Sequence, residues 1–240
     1  MAETPADGPL CGGAWRPLAL RPSSPNVRAW SACLERTEED LRRLRKWLDR
    51  AELERASSFR GKAHRDSFIA ARGLLRGALG ELLSVAPDRI ELHYSGTGKP
   101  FLAGEPLEFN LAHSGPTAVL AVSSHGPVGI DVEGIREVPD ALALADRFLP
   151  APEGFTLRRS TAENRSALFL RFWTAAEALL KADGAGLGGL ETLPSLLDRH
   201  REGFVLSQSV RWRGRTWRLS EAPFPERMVA VAFRSADGNK

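Results

Sequence analysis

The sequence predicts an α+β protein made of two similar lobes, and three observations carry that expectation. The chain has 240 residues, 42% of them hydrophobic, enough to bury a real core as one large domain or two lobes of ordinary size. Helical and strand periodicities both recur along it. The same order, helices followed by strands, is met twice without an obvious repeat of sequence, which places the join near residues 124–135 and the lobes at 1–125 and 126–240.

The chain to about residue 36 carries many Pro, Gly and Ser and reads as an irregular lead-in, with a strand expected at Trp15 to Leu20. Thr37 with Asp40 is an N-cap signature, and Leu41, Leu44, Trp47, Leu48 and Ala51 follow at helical spacing. A second helix puts Phe68, Ala71, Leu75, Leu79 and Leu82 on one face. Alternation at Ile90, Leu92, Tyr94 and at Leu107, Phe109, Leu111 predicts strands, and Ala118 to Ser123 and Val128 to Glu133 read as strands paired with each other around a His125-Gly126-Pro127 turn. Pro139 to Leu149 is a short helix stopped by Pro150. Ser160 with Glu163 forms a capping box that opens a long helix to about Ala182, buried through Leu168, Phe169, Phe172, Trp173, Ala176, Leu179 and Leu180 and ended by glycines from 184 onward. The remaining chain is β-rich: Phe204 to Trp212 and Trp217 to Leu219 flank a turn, and Met228 to Phe233 alternates again.

The charge balance is mildly basic, 33 Lys+Arg against 30 Asp+Glu. Nucleic acid is permitted by that balance but not demanded. From Leu41 to Arg76 there are 11 Lys+Arg and 4 Asp+Glu, a local excess that suits either an anionic ligand or solvated helix faces. Cys11 and Cys33 lie outside any Cys/His cluster, so neither a disulfide framework nor a zinc site is indicated. With no signal-like start and no long apolar run, the expectation is a cytoplasmic protein with no membrane or nucleic-acid partner.

Three stretches carry side chains suited to chemistry. In GIDVE, Gly129 to Glu133, residues two apart share one face of a strand, so Asp131 and Glu133 project together and can share a hard cation, or form a wet sheet edge. In FWTAAEALLK, Phe172 to Lys181, Glu177 and Lys181 are four apart on one helix face. As a surface pair they support the helix by ~0.3–0.5 kcal/mol; alternatively Glu177 completes an oxygen-rich cation site and Lys181 meets a phosphate. GKPFL, Gly98 to Leu102, precedes FNLAHS, Phe109 to Ser114; Pro100 after Lys99 excludes a phosphate-cradling loop that opens a helix. Gly184-Ala185-Gly186 closes a helix and so is not a dinucleotide fingerprint.

Taken in order, Ala71 to Arg76, Gly98-Lys99-Pro100, Phe109 to Ser114, Gly129 to Glu133, Trp173 to Lys181 and Gly184 to Leu187 resemble the motifs of the surfactin-synthetase-type 4′-phosphopantetheinyl transferases. Two positions depart from the family pattern: Ala112 stands where a serine is usual and Ala176 where a lysine is usual. The resemblance implies a monomeric pseudo-dimer of two α+β lobes with coenzyme A in the cleft between them. It also implies Mg²⁺-dependent transfer of phosphopantetheine from coenzyme A to a serine of an acyl or peptidyl carrier protein, with release of 3′,5′-ADP. By motif matching, Asp131, Glu133 and Glu177 would hold Mg²⁺, and Lys181 and His113 would contact the pyrophosphate. Arg55, Arg65 and Lys99 would lie toward the 3′-phosphate and adenine, with Pro100, Ala112 and Ser114 also lining the coenzyme site. Glu177, Lys181 and His113 are the catalytic candidates, and the carrier would dock on Gly184 to about Arg215. The rival readings are another Mg²⁺-dependent phosphoryl enzyme built on the same carboxylates and a basic nucleic-acid-binding module.

Overall fold

A computed structural model of the chain describes residues 10–104, 107–198 and 206–234. Strand β1 (Arg16–Leu18) lies at the edge of a sheet whose second strand is β2 (Val27–Cys33). The lead-in is therefore not irregular to residue 36: seven consecutive residues pair with their neighbours, and the indole of Trp15, fully buried, donates to the Leu74 carbonyl at 3.0 Å. Helix α1 (Glu38–Arg45) starts as expected, with the Thr37 hydroxyl accepting from the Asp40 amide, but it ends at Arg45, so Trp47 and Leu48 lie beyond it and Ala51 belongs to the next helix. Helix α2 (Arg50–Ser58) opens on a reciprocal Asp49–Glu52 capping box, and α3 (Lys62–Leu83) runs 22 residues to a left-handed Ser84. The alternation at 90–94 yields only a two-residue strand, β3 (His93–Tyr94), paired with β4 (Pro100–Phe101). Ile90 instead follows a short 3₁₀ turn and is buried. Strands β5 (Glu108–Ser114) and β6 (Thr117–Ser123) complete an antiparallel sheet of order β1-β2-β6-β5.

After a short link, strand β7 (Val128–Gly134) begins the second half; contrary to the pairing expected across residues 125–127, it lies in a different sheet from β6. It is followed by α4 (Ala141–Phe148), α5 (Ala151–Arg159) and the 22-residue α6 (Ala162–Asp183). The expected Ser160–Glu163 capping box does not form. Ser160 donates its hydroxyl to the Leu157 carbonyl at 2.7 Å and so closes α5, leaving Thr161 as the N-cap of α6 without a side-chain bond. A left-handed Gly184 at φ 80° ends α6. Strands β8 (Ser209–Trp212), β9 (Arg215–Glu221) and β10 (Arg227–Arg234) then form an antiparallel sheet of order β7-β10-β9-β8. In both halves a seven-residue strand precedes helices of 8, 9 and 22 residues. Among the described residues no helix is long and apolar enough to cross a membrane.

Among the described residues, apolar burial falls into three clusters. Leu74, Leu75 and Leu79 of α3 pack on Trp30, Leu120 and Val122 of the first sheet. Phe172, Ala175 and Leu179 of α6 pack on Trp217, Leu219 and Ala232 of the second. The third joins the remaining faces of both sheets through Ala29, Val119 and Ala121 on one side and Ile130, Val132, Val229 and Val231 on the other. Where β5 runs beside β7, the buried Asn110 accepts the Ile130 amide at 2.9 Å, which satisfies its side-chain oxygen and fixes how the two strands align.

Candidate active site

On β7 the period of two works as the sequence predicts: Ile130 and Val132 enter the core between the sheets, so Asp131 and Glu133 face α6. The strand and helix come unusually close because position 129 is glycine; a Cβ there would lie 2.1 Å from the Ala178 carbonyl oxygen. That approach brings Asp131 to α6 just where Glu177 and Lys181 share a face. The Lys181 ammonium lies 2.5 Å from Asp131 Oδ1 and 3.1 Å from Glu177 Oε2. Asp131 is only 6% exposed. Burial pushes its carboxyl up to about 6; the Lys181 charge and hydrogen bond oppose this, while Glu177 and Glu133 add to it. Burial works against the charge on Lys181 too, but Asp131 and Glu177 outweigh it and hold the ammonium above its ordinary range.

Glu133 is drawn aside, accepting from Arg136 at 2.8 Å and from the Ser114 hydroxyl at 3.5 Å. Among the described residues no three His, Cys, Asp or Glu side chains are spaced to hold a metal ion, so the expected three-carboxylate cage is not assembled. The reason is visible: an ammonium sits between Asp131 and Glu177, and a guanidinium holds Glu133. The oxygen donors still suit a hard cation, because two carboxylates share one ammonium and the buried Asp131 is short of positive charge.

This cluster borders a cavity of about 500 Å³ to which Glu177 and Lys181 of α6 contribute one wall. His113, from β5, lines it; burial and the charges of Lys181 and Arg72 hold its imidazole below the usual histidine range, so it is neutral at pH 7. Arg55 and Arg72 line the same cavity from α2 and α3. Arg55 lies 5.5 Å from the Phe68 ring. Arg72 lies 5.7 Å from both Phe68 and Tyr94, and its buried Nη1 has no hydrogen-bond partner. An aromatic-flanked guanidinium with an unsatisfied donor in a cavity wall is a ready anion contact.

The other expected site residues are placed differently from one another. Pro100 lines the cavity. Arg65 does not; its partly exposed side chain lies 3.9 Å from Asp66. Lys99 lines the cavity, but its ammonium donates to the Val128 carbonyl at 2.9 Å and the Lys181 carbonyl at 2.8 Å. Ala112 is buried in the core between the sheets, and Ser114 faces Glu133. Ala176 is fully buried among apolar neighbours. Of the leucines expected on a docking surface, Leu193 is core and Leu190 and Leu197 pack against it, whereas Leu187 is 68% exposed at the cavity rim. Arg211, Arg213 and Arg215 are exposed; Arg199 and Arg201 lie outside the described residues. Sequence reasoning left Arg72, Phe68, His64 and Thr97 unassigned, although all four line the cavity. The available signal was a charged residue, Arg72, inside the otherwise small and apolar run from Ile69 to Leu75.

Comparison with known proteins shows which family the chain resembles. Residues 127–232 match the model of the 4′-phosphopantetheinyl transferase superfamily, and residues 28–125 match that of the 4′-phosphopantetheinyl transferase N-terminal family. The 4′-phosphopantetheinyl transferase HetI of Nostoc sp. is 38% identical over 182 residues, covering 74% of this chain and 77% of the relative. The 4′-phosphopantetheinyl transferase AcpT of Salmonella typhi is 38% identical over 55% of this chain and 68% of its own length. The L-aminoadipate-semialdehyde dehydrogenase-phosphopantetheinyl transferase of Mus musculus is 28% identical over 93% of this chain and 79% of its own. With the Nostoc relative 38% identical over 77% of its length, and models of both halves matched in order, the chain belongs to the 4′-phosphopantetheinyl transferase superfamily.

Proposed function

We propose that the protein transfers 4′-phosphopantetheine from coenzyme A to a serine of an apo acyl or peptidyl carrier protein, releasing 3′,5′-ADP. The observation that carries this reading is one cavity lined both by Glu177 and Lys181, which meet Asp131, and by Arg55 and Arg72. Reactive and anion-binding groups thus face a common space large enough for an extended anionic ligand.

Phosphoryl transfer demands positioning and charge stabilisation more than covalent help from the protein. The carrier serine oxygen forms a bond to the β-phosphorus of coenzyme A while the bond from that phosphorus to the oxygen of 3′,5′-ADP breaks. Lys181, held at the cavity wall by two carboxylates, is placed to meet the charge that grows on the leaving oxygen. The serine proton passes to Glu177, the carboxylate of the cluster that lines the cavity itself. Neutral His113 serves as a hydrogen-bond donor to the pyrophosphate, and Arg72 and Arg55 take the phosphates farther from the reaction. Mg²⁺, when bound by Asp131 and Glu177 with Glu133 beside them, would add positive charge next to the pyrophosphate oxygens. Two pseudo-equivalent lobes with the reaction in the cleft between them form part of the same reading, supported by the repeated 8, 9 and 22-residue helices. The two free cysteines fit a reducing cytoplasm. Exposed Leu187 and the arginines of β8 and β9 make an apolar and basic surface suited to an acidic carrier helix.

Incubation with coenzyme A, Mg²⁺ and an apo carrier protein tests this directly. The carrier should gain the mass of one phosphopantetheine on its serine. Hydrolysis of coenzyme A with the carrier unmodified would overturn it in favour of a phosphohydrolase.

A further inference from the structure

Lys99 stands in a tight turn of the first half, where two hydrogen bonds join Ser95 and Lys99 and the Gly98 amide donates to the Ser95 carbonyl. From that turn its side chain crosses to the second half and donates to two carbonyls, Val128 at 2.9 Å and Lys181 at 2.8 Å. Neither acceptor is incidental. The Lys181 carbonyl belongs to the last turn of α6, where carbonyls have no partner within the helix and a cation also meets the negative end of the helix dipole. Val128 is the first residue of β7, the strand that presents Asp131 three residues later. The side chain of Lys181 spans the same two elements, from α6 to Asp131. Two lysines therefore clamp one helix–strand junction, and the backbone of one is gripped by the side chain of the other.

Two of the three donors of the Lys99 ammonium hold backbone carbonyls at the end of α6 and the start of β7, which leaves one for a ligand. Granting the transfer reading above, we infer that Lys99 is a positioning residue: it fixes the end of α6 against β7 and thereby sets where the Lys181 ammonium and the Glu177 carboxylate stand in the cavity. This also gives the first-half turn at 95–99 a direct hold on the reactive cluster of the second half.

The role predicts a kinetic signature opposite to that of a phosphate-reading lysine. Lys99→Met removes the donors while keeping a long apolar stem. Its kcat for carrier modification should fall at least about tenfold, because the residues that act in the transition state are displaced. The loss should be the same with coenzyme A and with dephospho-coenzyme A. An unchanged kcat, or a loss confined to coenzyme A, overturns the inference. A second readout does not depend on the variant folding or on turnover: in wild type labelled with ¹⁵N at lysine Nζ, the Lys99 ammonium should be protected from exchange without ligand and keep its chemical shift when 3′,5′-ADP is added. Rapid exchange, or a shift produced by 3′,5′-ADP and not by 5′-AMP, would assign Lys99 to the 3′-phosphate. Failure of the wild type to modify any carrier would instead strike the transfer reading and leave the ammonium result standing.

Discussion

Replacing Gly129 with alanine tests whether the closeness of β7 and α6 is what assembles the reactive cluster. The added Cβ would lie 2.1 Å from the Ala178 carbonyl oxygen, 2.4 Å from the Ala182 amide nitrogen and 2.9 Å from the Lys181 carbonyl carbon. All three are backbone atoms, so no side chain can swing away. Ordinary contact begins near 3.4 Å, so strand and helix must separate by about 1.3 Å. Overpacking of this kind costs about 1–3 kcal/mol of stability. The same separation would pull Asp131 off Lys181, whose present distance is 2.5 Å, and a displacement near 1 Å at reacting groups can lower turnover by roughly 10²-fold. Urea unfolding measures the first effect, and carrier modification at saturating coenzyme A under folded conditions measures the second. Gly96→Ala, where a Cβ meets nothing within 4 Å, is the control. A Gly129→Ala protein with wild-type stability and turnover within about twofold of wild type would refute the reasoning.

Four further outcomes are expected. Asp131 has a carboxyl raised from 3.8 to about 6, so the folded chain takes up a proton before the unfolded one does and wild-type stability falls as pH rises through that window. In metal-free buffer, Asp131→Asn should remove this slope and gain on the order of 2 kcal/mol relative to wild type between about pH 4 and pH 7.5, seen by urea midpoints at each pH; parallel pH profiles would contradict the burial argument. Arg72→Gln should raise KM for coenzyme A about 10- to 100-fold with kcat little changed, the loss of a charged contact equally present in ground and transition states; an unchanged KM would place the ligand elsewhere. Arg211→Glu should lower kcat/KM for the carrier at low salt and converge on wild type as salt rises, whereas salt-independent kinetics would remove β8 from the docking surface. Chelation with EDTA should abolish transfer and added Mg²⁺ restore it, followed by carrier mass.

The helix from Thr37 is legible because it has one wet face and one dry one, and the long helix ending at Gly184 by its length and its glycine stop. Strands β6, β7 and β10 are buried on most residues and are legible instead as short runs of Val, Ile, Leu and Ala bounded by turn residues, such as Gly115-Pro116 and His125-Gly126-Pro127. Val27–Cys33 is also mostly buried, but Arg28 and Ser31 interrupt its apolar run, so it was lost in the lead-in. Helix α5 was missed for a different reason: Phe155 is 61% exposed and Leu157 is its one buried large apolar residue. In the site, Asp131, Glu177 and Lys181 followed from a period of two on a strand and a spacing of four on a helix. The fate of Glu133 and of Lys99 did not, since each is decided by a partner far away in sequence or by a carbonyl, and neither leaves a pattern in side-chain order. Ala112 shows the same limit, because its face was fixed by the neighbouring sheet and not by β5 itself.

Both faces of each sheet are covered, and for one face of each the cover is the other sheet. On β6, Leu120 and Val122 turn to α3 while Val119 and Ala121 turn to the second sheet; on β10, Ala230 and Ala232 turn to α6 while Val229, Val231 and Phe233 turn to the first. Cut the chain in the link between β6 and β7, and each fragment is left with a bare aliphatic surface where the other sheet lay. Such fragments have little to gain by folding separately and much to gain by recombining. Heat or denaturant should accordingly melt the uncut protein in one cooperative step despite its twofold pattern of elements, and two co-expressed fragments should copurify, each acting as the missing half of the other's interior.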